Sequence, residues 1–478
     1  MEVEIISREI IKPATLEEMP QDDPKTFQVS LLDKVSPHAY IPIIFFYSMK
    51  EETDNSHIFF KENTATRLKI SLSKTLAHFP ILTGKIKGNL IHCSNEDDEV
   101  GALFVEAKVQ KITMGNFLKN PNLQFLAQFL PFPAAPNEPL ERTIQIGAQV
   151  SFFSCGGLAI GFSFFHKIID GTTMRAFIKS LAAAASNFEG ISKNLVCEGY
   201  QYSTSSLFPA REISADYNLF SSKTPFVVAQ GKNSTCRRFV FDSMAISNLK
   251  ARAKSTRVLN PTTVEVVTCI IWKYAMKASR RRRLSDGGEQ NFVNLKWRST
   301  LIHLINMRRR MHPPLSENEV GNIYRRSSTY YEASNDTVTT LDDLESLLRQ
   351  SLSKIDNDLL HKVIGDEGFD TLLSSLEQLH ELYETSDECY LFTSWRNMGL
   401  NEVNFGWGKL VWNACGANTF NSMLKNVIIL MDTVKGEGLE AWVLLDDETM
   451  NLLENDDEFL EFATPNPSIS HPRGDQNR

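Results

Sequence analysis

Leu158-Ala159-Ile160-Gly161-Phe162-Ser163-Phe164-Phe165 runs directly into His166-Lys167-Ile168-Ile169-Asp170-Gly171, and this junction decides how the rest of the chain reads. The first eight residues are rich in strand formers. Ser154-Cys155-Gly156-Gly157 ahead of them reads as a hairpin turn after a strand over Ile144 to Phe152. Downstream, Asp170, Thr172 and Thr173 supply caps for a helix whose apolar positions Met174, Phe177, Ile178 and Leu181 recur at helical spacing. An imidazole on such a short strand-to-helix joint is held rigidly, as a general base must be. The competing reading is a core histidine satisfied by a backbone partner. Spacing alone does not choose: His471-Pro472-Arg473-Gly474-Asp475 repeats His-x-x-x-Asp in a polar tail, where it is a chance match.

At 478 residues the chain exceeds a typical single core, so about two or three domains are expected. Hydrophobic content of 42% with 30 Phe provides for large cores, and 23% charged residues is ordinary for a globular protein. A net charge of −8 argues against a nucleic-acid partner. The run Arg280-Arg281-Arg282-Arg283 is followed by Leu284-Ser285-Asp286-Gly287-Gly288-Glu289 and reads as a solvated surface loop.

Seven cysteines (Cys93, Cys155, Cys197, Cys236, Cys269, Cys389, Cys415) are scattered without a Cys-x-x-Cys pair, which indicates neither a disulfide framework nor a metal site. The acidic start Met1-Glu2-Val3-Glu4 lacks the basic and apolar regions of a signal peptide. No apolar run reaches the roughly 18 residues of a membrane span. A cytoplasmic protein with no membrane partner is therefore expected, and the sequons at Asn233 and Asn335 are chance matches.

Leu68, Ile70, Leu72, Leu76 and Phe79 mark a helix over Thr66 to Phe79, stopped by Pro80. Periodicity fades between Ser186 and Pro225, which divides the chain into a first domain over 1–190, a crossover linker over 191–228 and a second domain over 229–478. Part of about 365–395 is expected to pack with the first domain. The second half opens with a strand, Cys236 to Phe241, and a helix capped by Asp242. Pro261-Thr262-Thr263 starts another helix, and Leu341 to Val363 carries a core-facing leucine stripe. Val427 to Met431 and Ala441 to Leu445 read as a hairpin.

Three further segments carry chemistry. Asn306-Met307-Arg308 follows the apolar strand Leu301 to Ile305, so Asn306 and Arg308 share a face, and Arg308 can reach a carboxylate such as Asp170. Thr393-Ser394-Trp395 puts two hydroxyls and an indole N–H at the end of Tyr390-Leu391-Phe392. Asn404-Phe405-Gly406-Trp407-Gly408-Lys409 brackets a Trp with glycines that permit positive φ or close backbone approach, so Asn404, Gly406, Trp407 and Gly408 are assigned structural support. No third glycine completes a dinucleotide fingerprint, and Gly161-Phe162-Ser163-Phe164-Phe165 lacks the second glycine of a nucleophile elbow.

In this order, His-x-x-x-Asp-Gly, Asn-x-Arg, Thr-Ser-Trp and x-Phe-Gly-Trp-Gly resemble the BAHD family of plant acyl-CoA-dependent acyltransferases. Ser30-Leu31-Leu32-Asp33, Leu72-Ser73-Lys74-Thr75-Leu76 and Asp446 to Ser468 extend the likeness over nearly the whole chain. Cys155-Gly156-Gly157 and His166-Lys167-Ile168 look most like its vinorine-synthase-like branch. The resemblance implies an α/β fold of two chloramphenicol-acetyltransferase-like domains with a solvent channel between them and His166 midway. It implies a monomer with no bound cofactor and no metal, using acyl-CoA, expected to be acetyl-CoA, as co-substrate and a small-molecule alcohol as acceptor. His166 would be the base, with Asp170 bound to Arg308 and shaping the site. Asn306, Thr393, Ser394 and Trp395 are candidate oxyanion or acceptor contacts. Lys250, Arg252, Lys254, Thr262 and Thr263 are candidate contacts for the CoA phosphates.

The family's loop normally begins with Asp where this chain has Asn404. If that position is structural, the expected loss is about 1 to 3 kcal/mol for a weakened buried contact. The leading function is O-acylation of an alkaloid or terpenoid alcohol. N-acylation of an amine, or a non-catalytic binder of the same fold, stays open at this point.

Overall fold

The computed structural model describes residues 1–14, 26–48, 56–93, 100–187, 200–229, 232–287, 297–333, 339–434 and 436–469. The strands of its two large sheets are, in chain order, β1 (Glu2–Ile11), β2 (Tyr40–Ser48), β3 (Ala102–Gln110), β4 (Ile146–Phe153), β5 (Leu158–Phe165), β6 (Ser234–Phe241), β7 (Trp297–Asn306), β8 (Tyr324–Ala333), β9 (Glu388–Ser394), β10 (Lys409–Cys415), β11 (Val427–Asp432), β12 (Leu439–Asp446) and β13 (Thr464–Pro465). Helices α1 (Ser56–Ala77), α2 (Gly171–Ser186), α3 (Ser243–Ala253), α4 (Thr263–Gly287), α5 (Leu341–Ser353) and α6 (Gly368–Thr385) pack around them. A six-stranded sheet has the order β1-β3-β4-β5-β2-β10, and a seven-stranded sheet the order β8-β7-β9-β11-β12-β6-β13.

Every residue of β4 and β5 is buried. These strands therefore carry unbroken apolar runs in place of an alternation, because both faces of the sheet are covered. Asp170 caps α2 by accepting from the Thr173 N–H at 2.8 Å, which ends the strand-to-helix turn at a fixed place. One apolar core spans both sheets, joining Phe45 and Phe162 of the first to Leu391, Ile429 and Trp442 of the second. A second core lies under α3, α4 and α5, on the far face of the second sheet.

The structure departs from the sequence reading at several places. Strand β10 belongs by position to the second domain, yet it pairs antiparallel with β2 at the edge of the first sheet. The described part of the linker is not a free crossover: Phe208, Leu219 and Phe226 are buried in the cores. Arg280 to Arg283 lie on α4 and not in a loop. Arg282 pairs with Asp446 at 2.6 Å, and Arg283 with Asp387 at 3.3 Å. The leucine stripe from Leu341 breaks after Ser353 and resumes in a short helix, Asn357–His361. Apart from these differences, Leu372 and Leu376 of α6, inside the 365–395 span expected to pack with the first domain, lie against Leu31, Leu32 and Val35. Cys197, Asn335 and the His471 to Asp475 repeat lie outside the described residues.

Candidate active site

The antiparallel pairing of β5 with β2 ends where the His166 N–H donates to the Ala39 carbonyl at 2.8 Å, so the imidazole leaves the sheet at its rim. Its Nδ1 lies 3.1 Å from Asn322 Oδ1. Asn322 Nδ2 donates to Asp33 Oδ1 at 2.8 Å and to the carbonyls of His166 and Lys167 at 3.0 Å each. With the amide nitrogen spent on acceptors, Asn322 Oδ1 is left to accept. The network therefore assigns the ring hydrogen to Nδ1 and leaves a lone pair on Nε2.

Burial pulls the His166 pKa below the ordinary imidazole range, opposed mainly by the charge of Asp170, so the ring is neutral at physiological pH. Behind Asn322, burial pushes the Asp33 carboxyl up, and bonds from Ser30, Asn322 and Tyr202 oppose that shift. The ammonium of Lys167 supplies a nearby positive charge while donating to the Lys34 carbonyl at 2.7 Å.

Asp170 faces away from this chain of bonds. Arg308 Nη1 lies 2.7 Å from Asp170 Oδ2, and Nη2 lies 3.3 Å from Oδ1. Asp170 Oδ2 also accepts from the Ile323 N–H at 3.1 Å. Burial alone would push the Asp170 pKa up, but the Arg308 charge and these hydrogen bonds hold the carboxyl below the usual carboxylate range. Arg308 is fully buried and also donates to the carbonyls of Glu319 and Gly321 at 2.8 and 3.0 Å. Its donors and Asp170's acceptors are thus occupied, the condition under which a buried ion pair is tolerable. Asp170 positions the loop that carries His166, and its oxygens are spent.

His166 opens onto a cavity of about 120 Å³ that is also lined by Asn306, Thr172, Tyr324, Thr393, Ser394 and Trp395. The candidate oxyanion and acceptor contacts are therefore brought together around the imidazole. Asn306 donates to Thr172 Oγ1 at 3.0 Å and accepts from the Arg308 N–H at 3.0 Å, which fixes its amide. The cavity shares Trp395 with a polar cavity lined by Lys179, Arg396 and Asp432. It shares Ala39, Phe220 and Leu424 with another that reaches His38.

The remaining assigned residues lie elsewhere. Asn404 is exposed, and its Oδ1 accepts from the Gly406 N–H at 2.8 Å, so it closes a turn and makes no buried contact of the kind expected. Gly406 has φ of +89°, and a Cβ there would sit 2.9 Å from Arg67 Nη2 and 3.0 Å from Ser186 Cα. No positive φ occurs at Gly408, so only one of the two glycines is used that way. Phe405 and Trp407 stack at 5.5 Å, and Phe405 also stacks on Phe162 at 6.4 Å.

Lys250, Arg252 and Lys254 do not line the His166 cavity. Arg252 pairs with Glu461 at 3.3 Å. Thr262 and Glu265 form a capping box: the Thr262 N–H donates to Glu265 Oε2 at 2.8 Å, and Thr262 Oγ1 accepts from the Glu265 N–H at 3.3 Å. Glu265 is itself paired with Arg349 at 2.9 Å.

Sequence reasoning missed Asn322 and Tyr324. Tyr324 lies with its ring 5.9 Å from that of His166 and its hydroxyl 3.2 Å from Ser36 Oγ. Val320-Gly321-Asn322 carries a signal in retrospect: a glycine at φ +122°, just before a strand, brings the backbone within reach of Arg308 and Thr173.

Comparison with known proteins identifies the chain's relatives. A family described as the transferase family matches residues 1–460. Epi-neemfruitin B 7-O-acetyltransferase of Melia azedarach is 35% identical, with 98% of this chain and 100% of the relative covered. Stemmadenine O-acetyltransferase of Catharanthus roseus is 30% identical over 95% of this chain and 97% of the relative. The crystal structure of vinorine synthase superposes with a TM-score of 0.74 at 28% identity, covering 98% of this chain and 100% of that one. The chain therefore belongs to the transferase family in its BAHD form, and it is an acyltransferase.

Proposed function

We propose that this chain moves an acetyl or other short acyl group from acyl-CoA, in the first instance acetyl-CoA, to a hydroxyl of an alkaloid or terpenoid alcohol, with His166 as general base and no covalent enzyme intermediate. Nε2 takes the hydroxyl proton as the acceptor oxygen attacks the thioester carbonyl. The tetrahedral oxyanion then collapses, the C–S bond breaks, and the CoA thiolate takes the proton from the imidazolium. A positioned base contributes about 10² to 10⁴ in rate, so orientation and oxyanion donors must provide much of the remainder. Asn306, Ser394 and the Trp395 indole are the donors we assign to that role.

The observation that carries the reading is the His166 ring facing a mostly apolar cavity with Nδ1 already bonded to Asn322. The relatives' names support an acetyl group and an alcohol acceptor. Free thiols at all six described cysteines fit a reducing, cytoplasmic setting, and the protein is proposed to act as a monomer. Among the described residues no helix is long and apolar enough to cross a membrane. Incubation with acetyl-CoA and a panel of terpenoid and alkaloid alcohols, following thiol release and ester mass, tests the proposal. Release with wild type and none with His166→Ala is expected; equal release from both would overturn it, and product only from amines would move the reading to N-acylation.

A further inference from the structure

The walls around His166 hold almost no charge. Among the described residues lining its cavity, Asp170 is the one carboxylate, and its oxygens already serve Arg308, Thr173 and Ile323. The other polar groups there are hydroxyls, amides and an indole, gathered near the imidazole, while Ile41, Pro42, Leu304, Leu391, Val427 and Ile429 make the apolar remainder. Several ionised groups just outside already have a partner of opposite charge. Asp33 has Lys167 near it. In the cavity beyond Trp395, Asp432 binds Arg396 at 2.6 Å, and Glu402 faces Lys179 across Gly399. On the other side, the cavity that reaches His38 is lined by no carboxylate among the described residues.

An ammonium brought into such a space loses its water and finds no free counter-ion, which costs several kcal/mol unless it gives up its proton first. It would also stand beside the imidazolium that forms during transfer, where like charges repel. A neutral polycyclic alcohol meets neither penalty and buries its rings against the apolar wall. We infer that the acceptor of this chain is uncharged when bound: a neutral, terpenoid-like alcohol, or an alkaloid only in its free-base form. This deepens the proposed transfer reading and rests on the same cavity.

The experiment uses a matched pair of acceptors: a polycyclic secondary alcohol and an isostere in which one ring carbon is replaced by a weakly basic tertiary nitrogen. Binding to the whole protein without donor is followed by tryptophan fluorescence, below and above the amine's pKa. The neutral alcohol should bind at least about tenfold more tightly below that pKa, and the gap should close above it. Phe220→Glu, which puts a carboxylate on the cavity's partly buried rim, should recover affinity for the charged isostere. Equal affinity of the charged and neutral ligands in wild type would overturn the inference, as would a gap that persists once the amine is neutral. Thiol release is read separately: a binding gap without release from either acceptor would count against the transfer reading and leave the charge rule standing.

Discussion

The junction around His166 and the loop around Trp407 are alike as sequence, each a short motif that follows or precedes a strand, yet they are built from opposite materials. At the junction, Asn322, Asp33, Arg308 and Asp170 satisfy one another until one ring nitrogen is left over. The loop is held by stacked rings, a turn bond from Asn404 and an arginine 5.5 Å from the centre of the Trp407 ring. A polar network aims a group; an aromatic stack fastens a segment. Damage to the first should therefore appear in turnover, and damage to the second in stability.

The sharpest way to break that contrast is His166→Ala, which should lower kcat/KM by about 10² to 10⁴ or more while leaving the melting temperature near wild type. Arg308→Leu comes next. It strands Asp170 in a buried place, and unfolding by urea should show a loss of about 3 to 5 kcal/mol. Asp170→Asn should lose activity only as it loses fold; a variant that kept its melting temperature and lost all turnover would give Asp170 a direct chemical role.

Acidity sharpens the comparison further. Because burial lowers the His166 pKa, kcat/KM should hold level through neutral pH and fall only as the pH drops through a value below 6.5, where the base becomes protonated. The Asn322 bond raises His166 basicity, so Asn322→Leu should move that acid limb to still lower pH and reduce kcat, readable in a pH–rate profile. For the loop, Gly406→Ala forces a Cβ into a positive-φ site facing Ser186 and should cost on the order of 1 to 3 kcal/mol with kcat largely unchanged in the folded fraction. Asn404→Asp should do least, shifting stability by no more than about 0.5 kcal/mol at its exposed turn.

Much of this was legible in the chain. The unbroken apolar run of β5 and the capping residues after it mark the junction because local propensity and burial agree there. Asn306 was readable as the end of an apolar strand, whereas Arg308 lies past that end in a tight turn after Met307, so strand parity does not account for its place. Asn322 and Tyr324 were not readable, since what makes them part of the site is contact with a residue far back along the chain, 156 residues away for Asn322, and the glycine before them marks a turn without naming its partner. β10 escaped for the same reason: pairing with β2 is a property of two distant edges, whereas Lys409 to Cys415 alone reads only as a strand. Asn404 was read as buried because glycines and aromatics surround it; the rings are buried, and the amide between them points to water.

Strand β10 has a further consequence for how the molecule can move. By lending a strand from its later half to the earlier sheet, the chain laces its two halves together with a ladder of main-chain bonds. Swinging the halves apart would mean breaking that ladder, so the shared strand resists a wide opening between them.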